Sequence, residues 1–428
     1  MSINRIAATG MAVNTPLGDS LEAFRDALLA GRSAVSSWRT FPTDNLYGKI
    51  GADLSGYDVA GATASLEGRL PPEMFGRLRR LIARVPWSTR LSMLLAARAW
   101  LDADLGAAAL PPEAVGVVVA GHNINLNFAA QNREAFAHEP DHIDGLYALH
   151  GLDTDHAGCV SEVLQARGPI YTVGGACASG NLALRHAADE IRHHGTRAVV
   201  VVGAVFDLAP IDMHAMALMG AISFESFNDT PERASRPFDV RREGFVPAHG
   251  GAALVFEDLE AARRRGARVH AELLAAEAGS DGNHLPQPHQ EGQTRVMRRA
   301  LEQARLRPEQ IDFVSAHATS TPLGDLTEIH SIKDVFGPHA FRLKVNAPKS
   351  MLGHTCWSAP LVEGVAAILQ MNAGVLHPSI NIDDVDPEVD LDVCRGRAVV
   401  HPVHYLMKNS FGFGGINAVS VFGRGEGT

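Results

Sequence analysis

Short runs of apolar, β-branched residues alternate along this chain with longer stretches in which apolar residues return every three or four positions. Residues 115–120, 198–205, 252–256, 311–315 and 418–422 read as buried strands. The clearest helical stretch is ASGNLALRHAADEIRHHG, where Ala183, Ala187 and Ile191 fall at four-residue steps and Gly195 supplies a stop. SLEAFRDALLAG, RLSMLLAARAWLDADL and GQTRVMRRALEQARL carry the same period. Strands alternating with helices of this length predict an α/β protein with mostly parallel sheets covered on both faces. The alternation restarts after about Asp258, with no Pro- or Ser-rich linker at that point. The expectation is a fused pair of half-domains, residues 1–257 and 258–428, sharing one interface.

Composition narrows the class. With 428 residues, 46% hydrophobic and 20% charged, the chain can bury a large core as a soluble globular protein. The opening MSINRIAATGMAVNTPLG reads as a strand entering a turn rather than a leader. The most apolar run, residues 198–209, carries Gly203 and Asp207 and is far shorter than the roughly 20 residues a bilayer requires, so no membrane span is expected. Cys159, Cys177, Cys356 and Cys394 are widely scattered, as free thiols of a reducing compartment would be, which makes cytoplasm the expected location. A formal net charge of -10 argues against nucleic acid as the main partner. Local basic patches can still receive an acidic protein.

Cys177 lies in IYTVGGACASGNLAL: an apolar run, a glycine pair, the cysteine, then the amphipathic helix. That order places the sulfur at a helix N-terminus, where free N–H groups and the helix dipole favour a thiolate nucleophile. Downstream, His317 in DFVSAHATSTPLGD and His354 in NAPKSMLGHTCWSAP read as strand-end groups aimed at a site. In NSFGFGGINAVSVF the glycines are not spaced as GxGxxG, and a β-like run follows where a nucleotide loop needs a helix. A turn that brings backbone N–H groups to a reacting carbonyl fits better. The chain has 20 histidines, with His193 beside His194 and Cys356 two residues after His354. No HExxH or paired CxxC pattern accompanies them, so no metal is expected. A non-catalytic scaffold is the remaining class.

Six segments in order, RIAATGMAVNTPLG, ACASG, SRPFDVRREGFV, AHATSTPLGD, APKSMLGH and NSFGFGGINA, resemble the 3-oxoacyl-[acyl-carrier-protein] synthases of type II fatty-acid and polyketide synthesis. The likeness spans essentially the whole chain. It implies a thiolase-like fold of two pseudo-symmetric halves in five α-β-α-β-α layers, a homodimer, and an acyl carrier protein as partner. Substrates then ride on the carrier's phosphopantetheine, with no other cofactor. The resemblance makes Cys177 the acyl-accepting nucleophile, and His317 and His354 the pair that binds the malonyl thioester carbonyl. Lys349 and Glu363 match a structural ion pair. The N–H groups of Cys177 and Phe413 match an oxyanion site, with Phe413 also a gate. Thr319 and Thr321 match the pantetheine site, and Ile124 a wall of the acyl pocket. Arg77, Arg79, Arg80 and Arg84 fall where the carrier docks.

The pattern also departs from this family. CWSAP, with Trp357 and Pro360, replaces a run of small residues after His354, and HATST puts Ala318 in place of a glycine. FVPAHGG leaves His249 unexplained, and GHNINLNF brings His122, Asn123, Asn125 and Asn127 to the expected acyl wall. A short, polar or polyketide acyl group is the expectation from that wall. These departures resemble ketosynthase-like malonyl decarboxylases, which typically lack the cysteine, and decarboxylation alone is the alternative to chain extension.

Overall fold

The structure, a computed structural model, describes residues 5–425. Strands β1 (Ile6–Asn14), β2 (Val115–Ala120), β3 (Ile170–Val173), β4 (Ala198–Gly203) and β5 (Gly251–Asp258) come from the first half. The second half supplies β6 (Ala271–Ser280), β7 (Phe313–Ser315), β8 (Lys344–Asn346), β9 (Tyr405–Gly412) and β10 (Ile416–Arg424). The ladder runs β8-β7-β9-β10-β6-β1-β5-β4-β2-β3. Counted within its own half, each set of five has the order 3-2-4-5-1, so the topology is repeated. The halves meet where β1 pairs with β6 over only Ile6↔Leu273 to Ala8↔Ala271.

The expectation of mostly parallel sheets needs correction. In each half the outer two pairings are parallel and the inner two antiparallel. The reason is visible at β9 and β10: a tight turn through Gly414 and Gly415, at φ 82° and 68°, leaves no room for the crossover that a parallel pair requires.

Helices make the other three layers. α1 (Pro72–Ile82), α2 (Trp87–Asp102) and α3 (Thr154–Leu164) lie outside the first half, with α2 on β1, β4 and β5. α4 (Ser179–His193) and α6 (Pro322–Phe336) frame the remainder: α4 is central, whereas α6 packs with α5 (Gln290–Ala304) outside the second half. α7 (Ala359–Ala373) joins α4 between the halves, touching β5 and β9. The result is the five-layer arrangement implied by the sequence resemblance.

The ends of α4 and α7 meet closely. A Cβ on Gly180 would lie 2.8 Å from Pro360 Cβ, so this contact needs the glycine. Pro360 itself fits because it occupies the first turn of α7, where a missing N–H costs nothing. Short 3-10 turns, Ala176–Ala178 and Cys356–Ser358, lead into α4 and α7, and each opens on a left-handed residue, Ala176 at φ 46° and Cys356 at φ 52°. The internal repeat therefore pairs Cys177 with Trp357. No helix among the described residues is long and apolar enough to cross a membrane.

Candidate active site

β3 delivers the chain through Gly174 and Gly175 into the turn that carries Cys177. Ser179 locks that turn: its Oγ accepts from Gly175 N at 2.9 Å and donates to Ala176 O at 2.7 Å. Gly412, at the end of β9, presses in from the other half. A Cβ there would lie 2.8 Å from Gly175 O and 3.2 Å from Cys177 N. The backbone N–H groups of Cys177 and Phe413 both face the sulfur. The sequence reading of a helix-start thiolate is corrected here. Burial pushes the thiol up to about 11, against the opposing pull of Lys349 and the two N–H groups. Desolvation outweighs the helix terminus, and Cys177 rests as a thiol.

His317 follows β7. Its loop hangs on Glu328 of α6, whose carboxylate accepts from His317 N at 2.9 Å, Ala318 N at 2.7 Å and Asn409 Nδ2 at 2.9 Å. Ala318 in place of glycine is accommodated, since its φ is not positive. Lys349 Nζ donates to His317 O at 2.5 Å and faces its Nδ1 at 3.5 Å. His354 is held by N→Val246 O at 2.7 Å, and its Nδ1 accepts from Cys356 N at 3.2 Å. With Nδ1 accepting, Nε2 carries the proton, and His354 Nε2 is buried without a partner. The two rings lie 5.6 Å apart at 81°. Burial, with the nearby charges of Lys349 and Lys408, holds both imidazoles well below the usual histidine range. They are neutral donors at physiological pH.

Beneath them lies a fully buried charge cluster. Lys349 meets Glu363 at 2.5 Å and Lys408 meets the same carboxylate at 2.7 Å. Burial lowers Lys408 to about 8 against the stabilising pull of Glu363. Neither Lys408 nor Glu328 was singled out in the sequence. The signal for Lys408 was a lone cation inside the apolar run YLMKNSF.

Cys177, His317 and His354 line one cavity of about 290 Å³ together with Thr319, Thr321 and Phe413. Thr319 Oγ1 and Thr321 Oγ1 are 3.0 Å apart. Met219, Leu285 and Leu323 form an exposed apolar rim. Ile124 is not brought to this cavity. It is fully buried, with its N–H on Asp153 Oδ1 at 2.9 Å. The asparagine-rich segment also lies apart from it: Asn123 N donates to Asp153 at 2.8 Å and Asn125 Nδ2 to His150 O at 3.0 Å. These residues knit a loop together outside the cavity. His249 is likewise structural, buried between Trp38 and Trp87 with ring separations of 4.6 and 4.9 Å, and its Nδ1 accepts from Leu54 N.

The four arginines lie at α1, on the outer face of the first half. Arg77 donates to Val163 O at 3.2 Å and Arg80 pairs with Glu162 at 3.4 Å. Arg79 and Arg84 are exposed. Among the described residues no group of three or more His, Cys, Asp or Glu is arranged to hold a metal ion. All four cysteines are free and buried.

A buried thiol sharing one cavity with two neutral imidazoles, on a repeated five-layer scaffold, is the arrangement of a thiolase-like ketosynthase. The chain belongs to the β-ketoacyl synthase family: residues 3–262 match its N-terminal domain and residues 270–383 its C-terminal domain. It is 32% identical to 3-oxoacyl-[acyl-carrier-protein] synthase 2 of Coxiella burnetii, over 99% of both chains. It is 31% identical to the polyketide biosynthesis malonyl-ACP decarboxylase PksF of Bacillus subtilis, over 97% of this chain and 95% of that one. Among solved structures it resembles a type II polyketide ketosynthase in complex with its acyl-carrier protein, with a TM-score of 0.85 and 25% identity, covering 99% of this chain and 100% of that one.

Replacing Glu363 with Gln should leave two buried ammonium groups facing each other without their anion. We expect a loss of about 3–5 kcal/mol in denaturant unfolding; a variant as stable as the parent would show that the cluster does not hold the site.

Proposed function

We propose that this protein is a ketosynthase that joins a Cys177-bound acyl group to the two-carbon unit of a malonyl carrier protein, giving a 3-oxoacyl thioester. The observation that carries this is the shared cavity, where one thiol and two imidazoles with Nδ1 already engaged face the same space. Cys177 loses its proton and attacks the acyl thioester. The new C–S bond forms as the donor's C–S bond breaks, and the proton leaves on the donor's sulfur. The N–H groups of Cys177 and Phe413 hold the oxyanion.

Malonyl thioester then enters with its carbonyl oxygen on the Nε2–H groups of His317 and His354. Loss of carbon dioxide leaves its electron pair as an enolate, whose oxygen those two donors stabilise. The enolate carbon attacks the acyl carbonyl on Cys177. A C–C bond forms, the C–S bond breaks, and the sulfur recovers a proton. Thr319 and Thr321 hold the phosphopantetheine arm with short hydroxyl side chains. These side chains and a carrier-borne thioester complete the chemistry without a further cofactor.

A second reading, decarboxylation alone, draws support from the likeness to PksF and from the bulk of Trp357. The imidazole pair by itself suffices for that step.

The carrier is an acidic partner, and Arg79 and Arg84, with Arg77 and Arg80 beside them, are its docking face on α1 and the turn that follows it. Their contribution is to steer encounter through long-range attraction. The protein acts as a homodimer. β3 is an edge strand with Ile170 exposed, and an unpaired edge of this kind invites its copy across a two-fold axis.

Three measurements test these points. Intact-mass analysis of the carrier should show chain growth with the parent enzyme. Cys177→Ala should abolish acyl transfer while leaving some decarboxylation; persistent elongation by that variant would sink the assignment of the nucleophile. Acetyl carrier as the sole product, with acyl donors supplied and Cys177 intact, would instead select the decarboxylase. The Arg79→Glu, Arg84→Glu double variant should raise the apparent KM for malonyl carrier several-fold at low salt and less at high salt, and an unchanged KM refutes docking there. Light scattering should give twice the 45.7 kDa chain mass, whereas a monomer at micromolar concentration overturns the dimer.

A further inference from the structure

The inner side of the nucleophile turn is filled, and the group that fills it is Trp357. Its indole lies tilted on His122, with centroids 4.3 Å apart at 31°, and tilts against Phe206 at 5.0 Å. A Cβ on Gly121 would lie 2.8 Å from Ile124 Cδ1 and 3.5 Å from Trp357 Cδ1, so the indole also closes over the Ile124 side. His122 in turn presses on the chain that leads to the nucleophile: a Cβ on Gly174 would be 3.1 Å from His122 Cβ. The turn carrying Trp357 packs directly against the turn carrying Cys177. Trp357 Nε1 is buried with no hydrogen-bond partner. The indole is therefore held by volume and stacking, and hydrocarbon could occupy the same space.

An acyl group on Cys177 whose oxygen sits on the N–H groups of Cys177 and Phe413 has two directions for its alkyl chain. Inward, past the packed turns, lie Phe206 and the half-buried His122 and Trp357. Outward it enters the 290 Å³ cavity lined by His317, His354, Thr319 and Thr321, which the malonyl unit and the phosphopantetheine arm must fill during condensation. Neither direction holds a long chain.

We propose that Trp357 is a specificity-determining residue that restricts the acyl group on Cys177 to acetyl- or propionyl-sized units. This rests on the reading of Cys177 as the acyl-accepting nucleophile. Removing the indole opens an apolar space bounded by Ile124 and Phe206, and a medium-length alkyl chain then has a place to go.

The experiment is intact-mass measurement of Cys177 acylation by acetyl, butyryl, hexanoyl and octanoyl thioesters, with the full chain as parent, Trp357→Ala and Trp357→Leu. The parent should label with acetyl and at least tenfold more slowly with hexanoyl or octanoyl. In the variants the hexanoyl-to-acetyl ratio should rise at least tenfold. This ratio is measured within each protein, and Trp357→Leu keeps the comparison available if the alanine variant fails to fold. A parent that takes octanoyl as fast as acetyl, or folded variants with the parental length profile, overturns the assignment of Trp357 while leaving the ketosynthase reading intact. No label from any thioester, with malonyl thioester still decarboxylated, overturns both.

Discussion

Everything at this site leans on one buried carboxylate. Glu363 holds Lys349 on one side and Lys408 on the other. Lys349 then grips the His317 carbonyl and sets the tautomer of its ring. Burial, reinforced by the same positive charge, keeps both imidazoles neutral, and that charge partly offsets the cost of ionising a dry sulfur. Three ionised groups far from water are tolerable because each cation shares the anion and finds further acceptors nearby, as Lys408 does at Asn409 O. Their net contribution to stability is modest. What they fix is the position and protonation of the donors above them.

The chain builds one topology twice and then uses the copies differently. Each half places a left-handed residue, a short 3-10 turn and a central helix in the same order. In the first copy the turn presents a thiol to the cavity, and in the second the equivalent position carries a large, half-buried indole packed on His122 and Phe206. Packing between the copies requires their helix ends to touch, which the Gly180 and Pro360 contact permits. Pro360, one of the departures from the family pattern, is thus a good fit at a helix start.

Much of this was legible in the sequence because it follows from short-range rules. Strand 115–120 and the helix after Cys177 were fixed by period and by a glycine stop. The cysteine, both histidines and the Lys349–Glu363 pair were legible as motifs. What escaped depends on contacts distant along the chain. Strand direction was misjudged because a hairpin at Gly414 and Gly415 reverses β10. Lys408 and Glu328 were missed because a buried charge shows its purpose only beside its partner. The asparagines of GHNINLNF suggested a polar acyl group, yet Asn123 and Asn125 sit in a loop tied to Asp153 and His150, away from the cavity. The thiol's protonation was misjudged for a related reason: the sequence shows the helix start but not the depth of burial.

The contact between Gly412 and the nucleophile turn has a consequence for how activity can be lost. Of the two N–H groups facing the sulfur, one belongs to each half of the molecule, so they converge only while the halves are seated together. Under the proposed function, a shift at that seam would weaken the hold on the oxyanion with every strand and helix still intact. Turnover is thus a more sensitive gauge of this seam than any melting curve.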